Sequence, residues 1–421
     1  MNDNKTYFRN IGTLFSSSIL ATLIPVLLAP VLTRQYSPAE FGVFAFFVAI
    51  ADIILVFSTL RLTYAIVIPK NKDDAWFLFV TCLLLSLIFS SLVFLLALFI
   101  PTAIYVGIGG EIVYKFLPFA APYVFLCVLY TSAYAWHNRN GRYKTIAIAR
   151  VISVSVITIT SILFGFLQYG PLGLILGVLC GKIISSIFMV FKIWKVDIQD
   201  LPTVTIQHLI LSVKQNKRFP LYSVPAGLFN MAAYQMPIFV LKAFFSATVL
   251  GLYDLTHRVL AAPAALVGTA IQDVFKVRAS QEYAESGSCN KTYLLTLSML
   301  TTISILFYTP LYFFAPLIFG NVFGEEWRVA GDYAKIMIPF IAIRFIASSL
   351  SYVLFITSHQ KTDLVWQICL AFAMFLSIYI GSKTNEPETG IQYLSYAGIC
   401  MYLIYILLSL LSTRKSSTTN V

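Results

Sequence analysis

Residues 75–101 read AWFLFVTCLLLSLIFSSLVFLLALFIP, an apolar run without a charged side chain. A helix needs about 20 such residues to cross the hydrocarbon core of a bilayer. Runs of this kind recur along the whole chain, separated by short polar breaks. The 421 residues are 59% hydrophobic and 11% charged, with a mean hydropathy of +0.83, which leaves too little polar surface for a water-soluble globule. The sequence therefore predicts an all-α integral membrane protein.

Twelve segments have the length and composition of a membrane span. They are residues 11–33, 41–64, 75–101, 115–136, 145–168, 171–192, 219–243, 248–270, 293–320, 333–357, 362–382 and 391–412. The longest polar stretches, near 193–218 and 271–292, have room for helices at the membrane surface but not for an independent core. An even number of spans places both termini on the same side of the membrane.

The basic residues indicate which side that is. With the N-terminus placed in the cytoplasm, 18 of the 29 Lys and Arg side chains flank the cytoplasmic ends of the spans and 6 flank the opposite ends. Because Lys and Arg accumulate in cytoplasmic loops, this excess predicts that both termini are cytoplasmic. The net charge of +11 is then mostly an insertion signal, and the cations form no single patch that would indicate a nucleic-acid partner. No cofactor or metal is predicted, because the six Cys and four His residues lack a ligand-like spacing.

The chain also carries a weak internal repeat at an offset of 209 residues. The matching pairs are Arg9 with Arg218, Leu32 with Leu241, Ser37 with Ser246, Gly42 with Gly251, and Phe44 with Tyr253. Six spans separate the copies, so the halves are expected to be parallel and related by an axis along the membrane normal. This predicts two pseudo-equivalent six-helix lobes, residues 1–210 and 211–421, around a central cavity near the midplane, as in known transporters.

Ionisable side chains at bilayer depth cost several kcal/mol unless they face water or a partner, so each is a functional candidate. Arg150 lies near a span end and is expected to snorkel to the interface. The remaining cations within the spans are Arg61, Lys182, Arg258 and Arg344, opposed by Asp52 and Asp254. The fixed charge inside the spans is therefore positive in sum.

Several of these residues allow two interpretations. Asp254 and Arg258 lie one helical turn apart, so they form either a self-satisfied ion pair or part of a cavity wall. Lys182 and Arg344 either pair with a neighbouring helix or line the cavity. Asp52 and Asp254 are the acidic candidates for coupling to H⁺ or Na⁺.

A second polar stripe favours the cavity interpretation. Asn230 and Tyr234 continue a stripe that begins at Ser223 and Gly227 in span seven, at helical spacing. A matching stripe in span eight, which includes Gly268 and Gln272, extends from Arg258. We therefore expect both helices to present polar faces to water.

The sign of the charge distinguishes two classes of cargo. A cavity with excess positive charge attracts an anion and repels a cation. An inside-negative potential favours the export of an anionic headgroup by about 2.3 kcal/mol per charge per 100 mV. A multidrug antiporter for organic cations, the alternative within the same superfamily, is expected to show the reverse charge balance.

Four segments resemble a known family. Residues 32–44, LTRQYSPAEFGVF, resemble the turn after the first span in polysaccharide flippases of the multidrug/oligosaccharidyl-lipid/polysaccharide (MOP) exporter superfamily. Residues 60–70, LRLTYAIVIPK, are similar to the segment that closes span two in that family. Residues 219–222, FPLY, and the region 251–280 are also similar.

The resemblance implies a flippase that moves undecaprenyl-pyrophosphate-linked oligosaccharide, an O-antigen or capsule repeat unit used in lipopolysaccharide or capsule synthesis, from the cytoplasmic to the periplasmic leaflet of the bacterial inner membrane. It implies alternating access, a membrane-lipid environment, and a polysaccharide polymerase and chain-length regulator as partners. It also implies that Arg61 and Arg258 line the cavity. Thr63 departs from the pattern, because many relatives carry an acidic residue there.

The alternative from another class is a membrane enzyme, a saccharide polymerase or ligase. Such enzymes need a large external loop, whereas the longest external loops here span about 102–114 and 321–332. The chain shows no paired-carboxylate, Ser/His/Asp or nucleotide-binding glycine motif. We therefore expect a transporter without catalytic residues.

Overall fold

The structure is a computed structural model that describes residues 2–69, 71–99, 115–357 and 359–413. Side chains are described from Ser16 onward, with the exception of residues 198, 230, 233, 265, 269, 270 and 273. All regular secondary structure in these ranges is helical, which confirms the predicted all-α class. The predicted external loop at 102–114 lies outside the described residues.

The chain divides into two compact units, Met1–Lys242 and Ala243–Val421. Unit 1 contains α1 Asn2–Thr33, α2 Pro38–Ser58, α3 Lys72–Phe99, α4 Ala120–Arg139, α5 Tyr143–Phe166, α6 Pro171–Asp197, α7 Ile206–Gln215 and most of α8 Val224–Phe244. Helix α8 therefore falls with unit 1, although it begins the second copy of the sequence repeat. The lobe boundary at 210/211 was predicted from the sequence repeat and not from compactness, so it stays a prediction.

Unit 2 contains the remaining helices. They are α9 Ala247–Pro263, α10 Thr269–Ser286, α11 Asn290–Ile318, α12 Arg328–Leu350, α13 Val353–Ile356, α14 Gln360–Ser382 and α15 Pro387–Ser412. Helix α12 packs against α9, α11 and α15 and is the central helix of this unit. Tyr293 and Trp327 are fully buried in its core.

The turn in the LTRQYSPAEFGVF segment owes its shape to three side chains. Ser37 caps α2, because its Oγ accepts a hydrogen bond from the Glu40 amide at 3.4 Å and the Glu40 carboxylate accepts one from the Ser37 amide at 2.7 Å. The buried Tyr36 hydroxyl donates to the Ser161 carbonyl on α5 at 2.6 Å. The motif therefore fixes both the start of α2 and its attachment to α5.

The repeat predicts that Ser246 plays the part of Ser37 in the second half. Ser246 caps α9 in an extended conformation, with φ −75° and ψ 165° against −70° and 160° at Ser37. Its Oγ accepts a hydrogen bond from the Val249 amide at 3.4 Å. The aligned serines therefore have the same capping role, which supports the repeat at this turn.

Helices α5 and α6 pack closely through small residues. A Cβ on Gly177 would lie 2.1 Å from the Ser161 Oγ, and one on Gly181 would lie 2.7 Å from the Ser153 carbonyl oxygen. Glycines four residues apart let two helix backbones approach in lipid, where dispersion contacts and hydrogen bonds drive association. This contact brings Lys182 of α6 into a tightly packed part of unit 1.

Ten helices of the described chain are long and apolar enough to cross a membrane. An eleventh is counted if the segments Phe219–Phe229 and Tyr234–Phe244, which meet at a 49° bend, form one span. The predicted span 248–270 is helical, but α9 has only 17 residues and includes Asp254, His257 and Arg258, so it does not meet the same criteria. The multi-span class is confirmed, while the count of twelve stays a prediction.

Candidate functional site: charged side chains within the helices

Asp52 lies on α2 and is bound by neutral donors from two other helices of unit 1. The Tyr123 hydroxyl on α4 donates to its Oδ1 at 3.2 Å, and the Gln235 amide on α8 donates to its Oδ2 at 3.2 Å. No ion pair between Asp52 and Arg61 is seen among the described residues. Asp52 is therefore a carboxylate held by hydrogen bonds and not by a contacting cation.

Lys182 lies near the middle of α6 and faces an aromatic ring. Its Nζ lies 4.3 Å from the ring centroid of Tyr130 on α4, a cation–π contact. Asp52 and Arg150 are close enough to this region to act through Coulombic interactions, Asp52 on Lys182 and Arg150 on Tyr130.

Arg150 has a hydrogen-bond partner that the sequence did not predict, while its snorkelling to the interface stays a prediction. Its Nη1 donates a hydrogen bond to the Ser18 hydroxyl on α1, and the side chain is only partly exposed. The guanidinium is therefore bound between two spans. Sequence reasoning missed it because its distance from the nearest span end was the only information available.

Arg61 follows the end of α2 in an uncommon backbone conformation. Leu60 and Arg61 both have positive φ, 51° and 58°, which costs a non-glycine residue about 1–3 kcal/mol. The guanidinium Cζ lies 5.3 Å from the ring centroid of Tyr64. Leu60 and Arg61 thus adopt the left-handed conformation just before the 3₁₀ segment Leu62–Val67, and the Arg61 side chain contacts this segment at Tyr64.

Helix α8 provides the second surface around Arg61. A Cβ on Gly227 would lie 2.4 Å from the Arg61 Cζ, so the guanidinium rests directly on the α8 backbone. Tyr234 is 58% exposed. Asn230 lies in α8, but its side chain is outside the described residues, so its predicted role is untested.

In unit 2, Asp254 and Arg258 form an ion pair, which was one of the two interpretations of their spacing. The Arg258 Nε lies 2.8 Å from the Asp254 Oδ2, and the two side chains are 48% and 12% exposed. The carboxylate is thus buried while about half of the arginine surface remains accessible. Arg258 can pair with Asp254 and still present part of its guanidinium to a ligand.

Arg344 lies on α12 near three groups from different helices of unit 2. It is within Coulombic range of His257 on α9, Tyr308 on α11 and Tyr402 on α15. These neighbours are histidine and tyrosine side chains, and none of them is a carboxylate. Pairing of Arg344 with a carboxylate on a neighbouring helix, one of the two predicted alternatives, is not seen among the described residues.

Part of the polar stripe predicted for span eight is a packing surface in this conformation. A Cβ on Gly268 would lie 3.0 Å from the Ser349 Oγ and 3.2 Å from the Phe345 ring. The Gln272 amide donates to the Ser348 carbonyl at 3.0 Å. Gly268 contacts α12 in this state, so its exposure to water in another conformation stays a prediction.

The four predicted cations differ in whether a carboxylate lies close enough to balance their charge. In the part of the chain that the structure describes, Arg258 has a carboxylate within 4.0 Å, whereas Arg61, Lys182 and Arg344 have none. Cations without a contacting carboxylate inside apolar helices favour the binding of an anion. The predicted cavity between the lobes stays a prediction.

A protein-family model described as "Polysaccharide biosynthesis protein" matches residues 31–332, more than half of the chain. The chain belongs to that polysaccharide biosynthesis protein family. A comparison of this polysaccharide biosynthesis protein with curated protein sequences gives no match.

Solved structures with similar folds are membrane transporters. The inward-facing conformation of a multidrug resistance MATE family transporter of the MOP superfamily has a TM-score of 0.72 and 14% identity, over 96% of each chain. The lipid II flippase MurJ, in an inward closed conformation, has a TM-score of 0.68 and 17% identity, over 96% of this chain and 87% of MurJ. A MOP superfamily transporter from Pyrococcus furiosus, described as having a binding pocket of reverse polarity, has a TM-score of 0.61 and 15% identity, over 95% and 94% of the chains.

At these identities the likeness shows the fold alone. This polysaccharide biosynthesis protein therefore has the fold of MOP superfamily transporters, and the resemblance to flippases of that superfamily is confirmed in family and in fold. The similar solved structures are described as transporters and a flippase.

Proposed function

We propose that this protein is a flippase for undecaprenyl-pyrophosphate-linked oligosaccharide, an O-antigen or capsule repeat unit. It moves the saccharide headgroup from the cytoplasmic to the periplasmic leaflet of the bacterial inner membrane by alternating access. The family supports a role in polysaccharide synthesis, and the fold supports transport. The observation that carries the choice of cargo is the set of cations Arg61, Lys182 and Arg344, none of which contacts a carboxylate of the described residues.

The roles of individual residues are part of this proposal. Arg61 and the accessible part of Arg258 bind the pyrophosphate or an acidic sugar. Lys182 and Arg344 add to the positive field, and Asn230 and Tyr234 contribute polar contacts to the sugars. Asp52 and Asp254 are the candidates for coupling to H⁺ or Na⁺, and the polymerase and chain-length regulator are proposed partners at the membrane.

Two fixed cations stabilise a bound oxyanion more strongly than neutral polar groups do. A hydrogen bond to a charged group contributes about 1.5–3 kcal/mol, so its loss weakens binding by roughly ten- to hundredfold. An inside-negative membrane potential also favours movement of the anionic headgroup to the periplasmic side. Transport in the proposed direction therefore does not have to work against the membrane potential.

The test is complementation of a flippase-null strain at matched expression. Arg61→Ala and Arg258→Ala should each reduce surface polysaccharide by at least about tenfold, as expected for the loss of a charge-assisted contact. Arg328→Ala is the matched control, because Arg328 is 59% exposed and its Nη1 bonds to Glu325 at 2.9 Å near the start of α12. Full complementation by both variants would contradict the proposed roles of Arg61 and Arg258.

The second candidate is a cation-coupled multidrug antiporter, favoured by the similarity to a MATE family transporter. The positive charge of the candidate site disfavours an organic cation. Efflux of ethidium from cells that express the wild type, with no rescue of polysaccharide export, would favour the antiporter over the flippase.

A further inference from the structure

Helix α7 is a short helix between two long ones, and one of its faces packs on unit 1. Its ten residues, Ile206–Gln215, follow α6 and precede α8. The His208 ring stacks on Phe77 of α3, with ring centroids 4.1 Å apart and an interplanar angle of 14°. Ser212, one turn further along the same face, is buried. This face therefore attaches α7 to α3.

The stacking partner fixes the level at which α7 lies. Phe77 is the sixth residue of α3, a helix long and apolar enough to span the membrane. At a rise of about 1.5 Å per residue, Phe77 lies roughly 7.5 Å along α3 from Lys72, and the apolar run of α3 begins at Ala75. Amphipathic helices bind with their apolar face about 5–10 Å into the boundary between headgroups and acyl chains. Helix α7 is therefore at the level of the membrane surface.

The face of α7 that points away from α3 is apolar and exposed. Ile206 and Ile210 lie one turn apart and are 75% and 63% exposed. Leu211, next to Ile210 in sequence, is also exposed. Exposed apolar side chains on a helix at this level are typical of a helix that lies in the membrane interface.

Three cations continue this face toward α8. Lys214 lies one turn after Ile210, and Lys217 and Arg218 follow in the next turn. All three side chains are exposed, and none has a carboxylate within 4.0 Å among the described residues. The sequence from 201 to 253 contains no acidic residue. We call the following set the α7 surface: Ile206, Ile210, Leu211, Lys214, Lys217 and Arg218.

We propose that the α7 surface binds anionic phospholipid of the surrounding membrane. Anionic headgroups complement Lys214, Lys217 and Arg218, and the acyl chains next to them complement Ile206 and Ile210. The distribution of basic residues predicts that this end of α3 is cytoplasmic, and the cytoplasmic leaflet has a negative surface potential. This binding does not depend on the cargo, because the α7 surface lies outside the spans.

Hydrogen–deuterium exchange of the full-length protein in nanodiscs tests the proposal. One nanodisc contains phosphatidylcholine alone, and the other contains phosphatidylcholine mixed with phosphatidylglycerol. Peptides that cover Ile206–Gln215 should exchange at least about fivefold more slowly in the anionic nanodisc, since a single cation near an anionic surface contributes about that factor. The difference should shrink at high salt, because salt screens exposed charges.

A combined variant tests the contribution of charge. With Lys214→Gln, Lys217→Gln and Arg218→Gln together, α7 should exchange at the same rate in both nanodiscs. The matched control removes three other exposed lysines near predicted cytoplasmic span ends, and in it the anionic lipid should still slow the exchange of α7. The control substitutions are Lys144→Gln, Lys195→Gln and Lys291→Gln.

A second variant tests the apolar contact. Ile206 and Ile210 point away from the face that packs on α3, so their replacement leaves the contact with Phe77 in place. Ile206→Ser with Ile210→Ser should therefore make α7 exchange faster than in the wild type in both nanodiscs.

Two results would overturn the proposal. One is equal exchange of wild-type α7 in the two nanodiscs, which would leave the α7 surface to a protein partner. The other is slower exchange in the anionic nanodisc that persists in the combined glutamine variant. Peptides around the buried Trp136 report the fold of unit 1, and if the combined variant fails to fold, full retention of the lipid effect in Lys214→Gln contradicts the proposal. Failure of the flippase proposal would change neither result, because the exchange measurement involves no cargo.

Discussion

The two units hold their buried carboxylates in different ways. Asp254 in unit 2 is paired with Arg258 one turn away on the same helix, at 2.8 Å. Asp52 in unit 1 is held by Tyr123 and Gln235, which lie 71 and 183 residues away in sequence. The first arrangement stabilises a carboxylate with a charge on its own helix, whereas the second uses neutral donors from two other helices. The charge at Asp52 is consequently less compensated, and α8 depends on it for a hydrogen bond.

The largest difference between the units should appear when Arg258 is removed. Arg258→Ala leaves the buried Asp254 carboxylate without its cation, which costs about 3–5 kcal/mol for a fully buried pair and about 2 kcal/mol here, since Arg258 is half exposed. Thermal unfolding of the purified protein should show this loss. The double variant Asp254→Asn with Arg258→Ala should recover most of it.

The control for this measurement is Arg328→Ala, which removes an exposed partner of Glu325. That variant should change the unfolding temperature little, because exposed ion pairs contribute about 0–1 kcal/mol. If the double variant were as unstable as Arg258→Ala, the loss would come from helix packing around Arg258 and not from an unpaired carboxylate.

A smaller effect is expected at Asp52. Asp52→Leu leaves the Tyr123 hydroxyl and the Gln235 amide without an acceptor and should cost about 1–2 kcal/mol in the free energy of unfolding. Asp52→Asn keeps one acceptor oxygen and should cost less. Equal losses in the two variants would show that the charge of Asp52, and not its role as an acceptor, stabilises unit 1.

Gly227→Ala tests the contact between α8 and Arg61. The added Cβ would lie 2.4 Å from the Arg61 Cζ, so the guanidinium must move. Because the end of an arginine side chain moves easily, we expect a cost of about 1 kcal/mol or less in stability and a clear loss of polysaccharide export. Ala226→Ser, at the neighbouring exposed position, is the control. Unchanged export in Gly227→Ala would mean that the position of Arg61 in this structure is not the one used in transport.

The smallest effect concerns Glu282, which lies on α10 outside the membrane spans. Burial acts to raise its pKa, but hydrogen bonds from Thr292 and from the amides of Thr292 and Lys291, at 3.0 and 3.2 Å, lower it below the ordinary value of 4.5. A carboxyl with a lowered pKa stabilises the fold above its unfolded pKa, and this stability is lost as pH falls through the folded pKa.

Glu282→Gln should therefore be less stable than the wild type at pH 7, by less than about 1 kcal/mol, and the difference should vanish as the pH falls through the lowered pKa of Glu282. Unfolding measured from pH 7 to pH 3.5 checks this. Glu285→Gln, an exposed glutamate on the same helix, should show no comparable pH dependence.

Local patterns predicted some features and failed for others for a physical reason. The helices near the predicted spans and the proximity of Asp254 and Arg258 depend on residues within about one helical turn, and hydropathy or spacing reveals them. The partners of Asp52 and the environment of Lys182 depend on which helices pack together. Tyr123, Gln235 and Tyr130 look like ordinary polar and aromatic residues of a span, and nothing in their sequence positions marks them.

Two positions show the same limit. Arg150 was placed at the interface from its distance to a span end, yet the close packing of α1 and α5 provides the Ser18 hydroxyl as its partner. Gly268 continued a polar stripe at helical spacing, yet the face it occupies packs on Phe345 of α12. Periodicity identifies a face of a helix, but only tertiary packing decides whether that face contacts protein or water.

The division of the chain after Lys242 has a consequence for assembly from fragments. A gene split in the segment 201–205, between the copies of the repeat, would encode α8 on the C-terminal polypeptide, while the side chains that receive it, Asp52, Phe46 and Arg61, would be on the N-terminal one. Reconstitution of the co-expressed halves would then require α8 of the C-terminal fragment to pack against the N-terminal fragment.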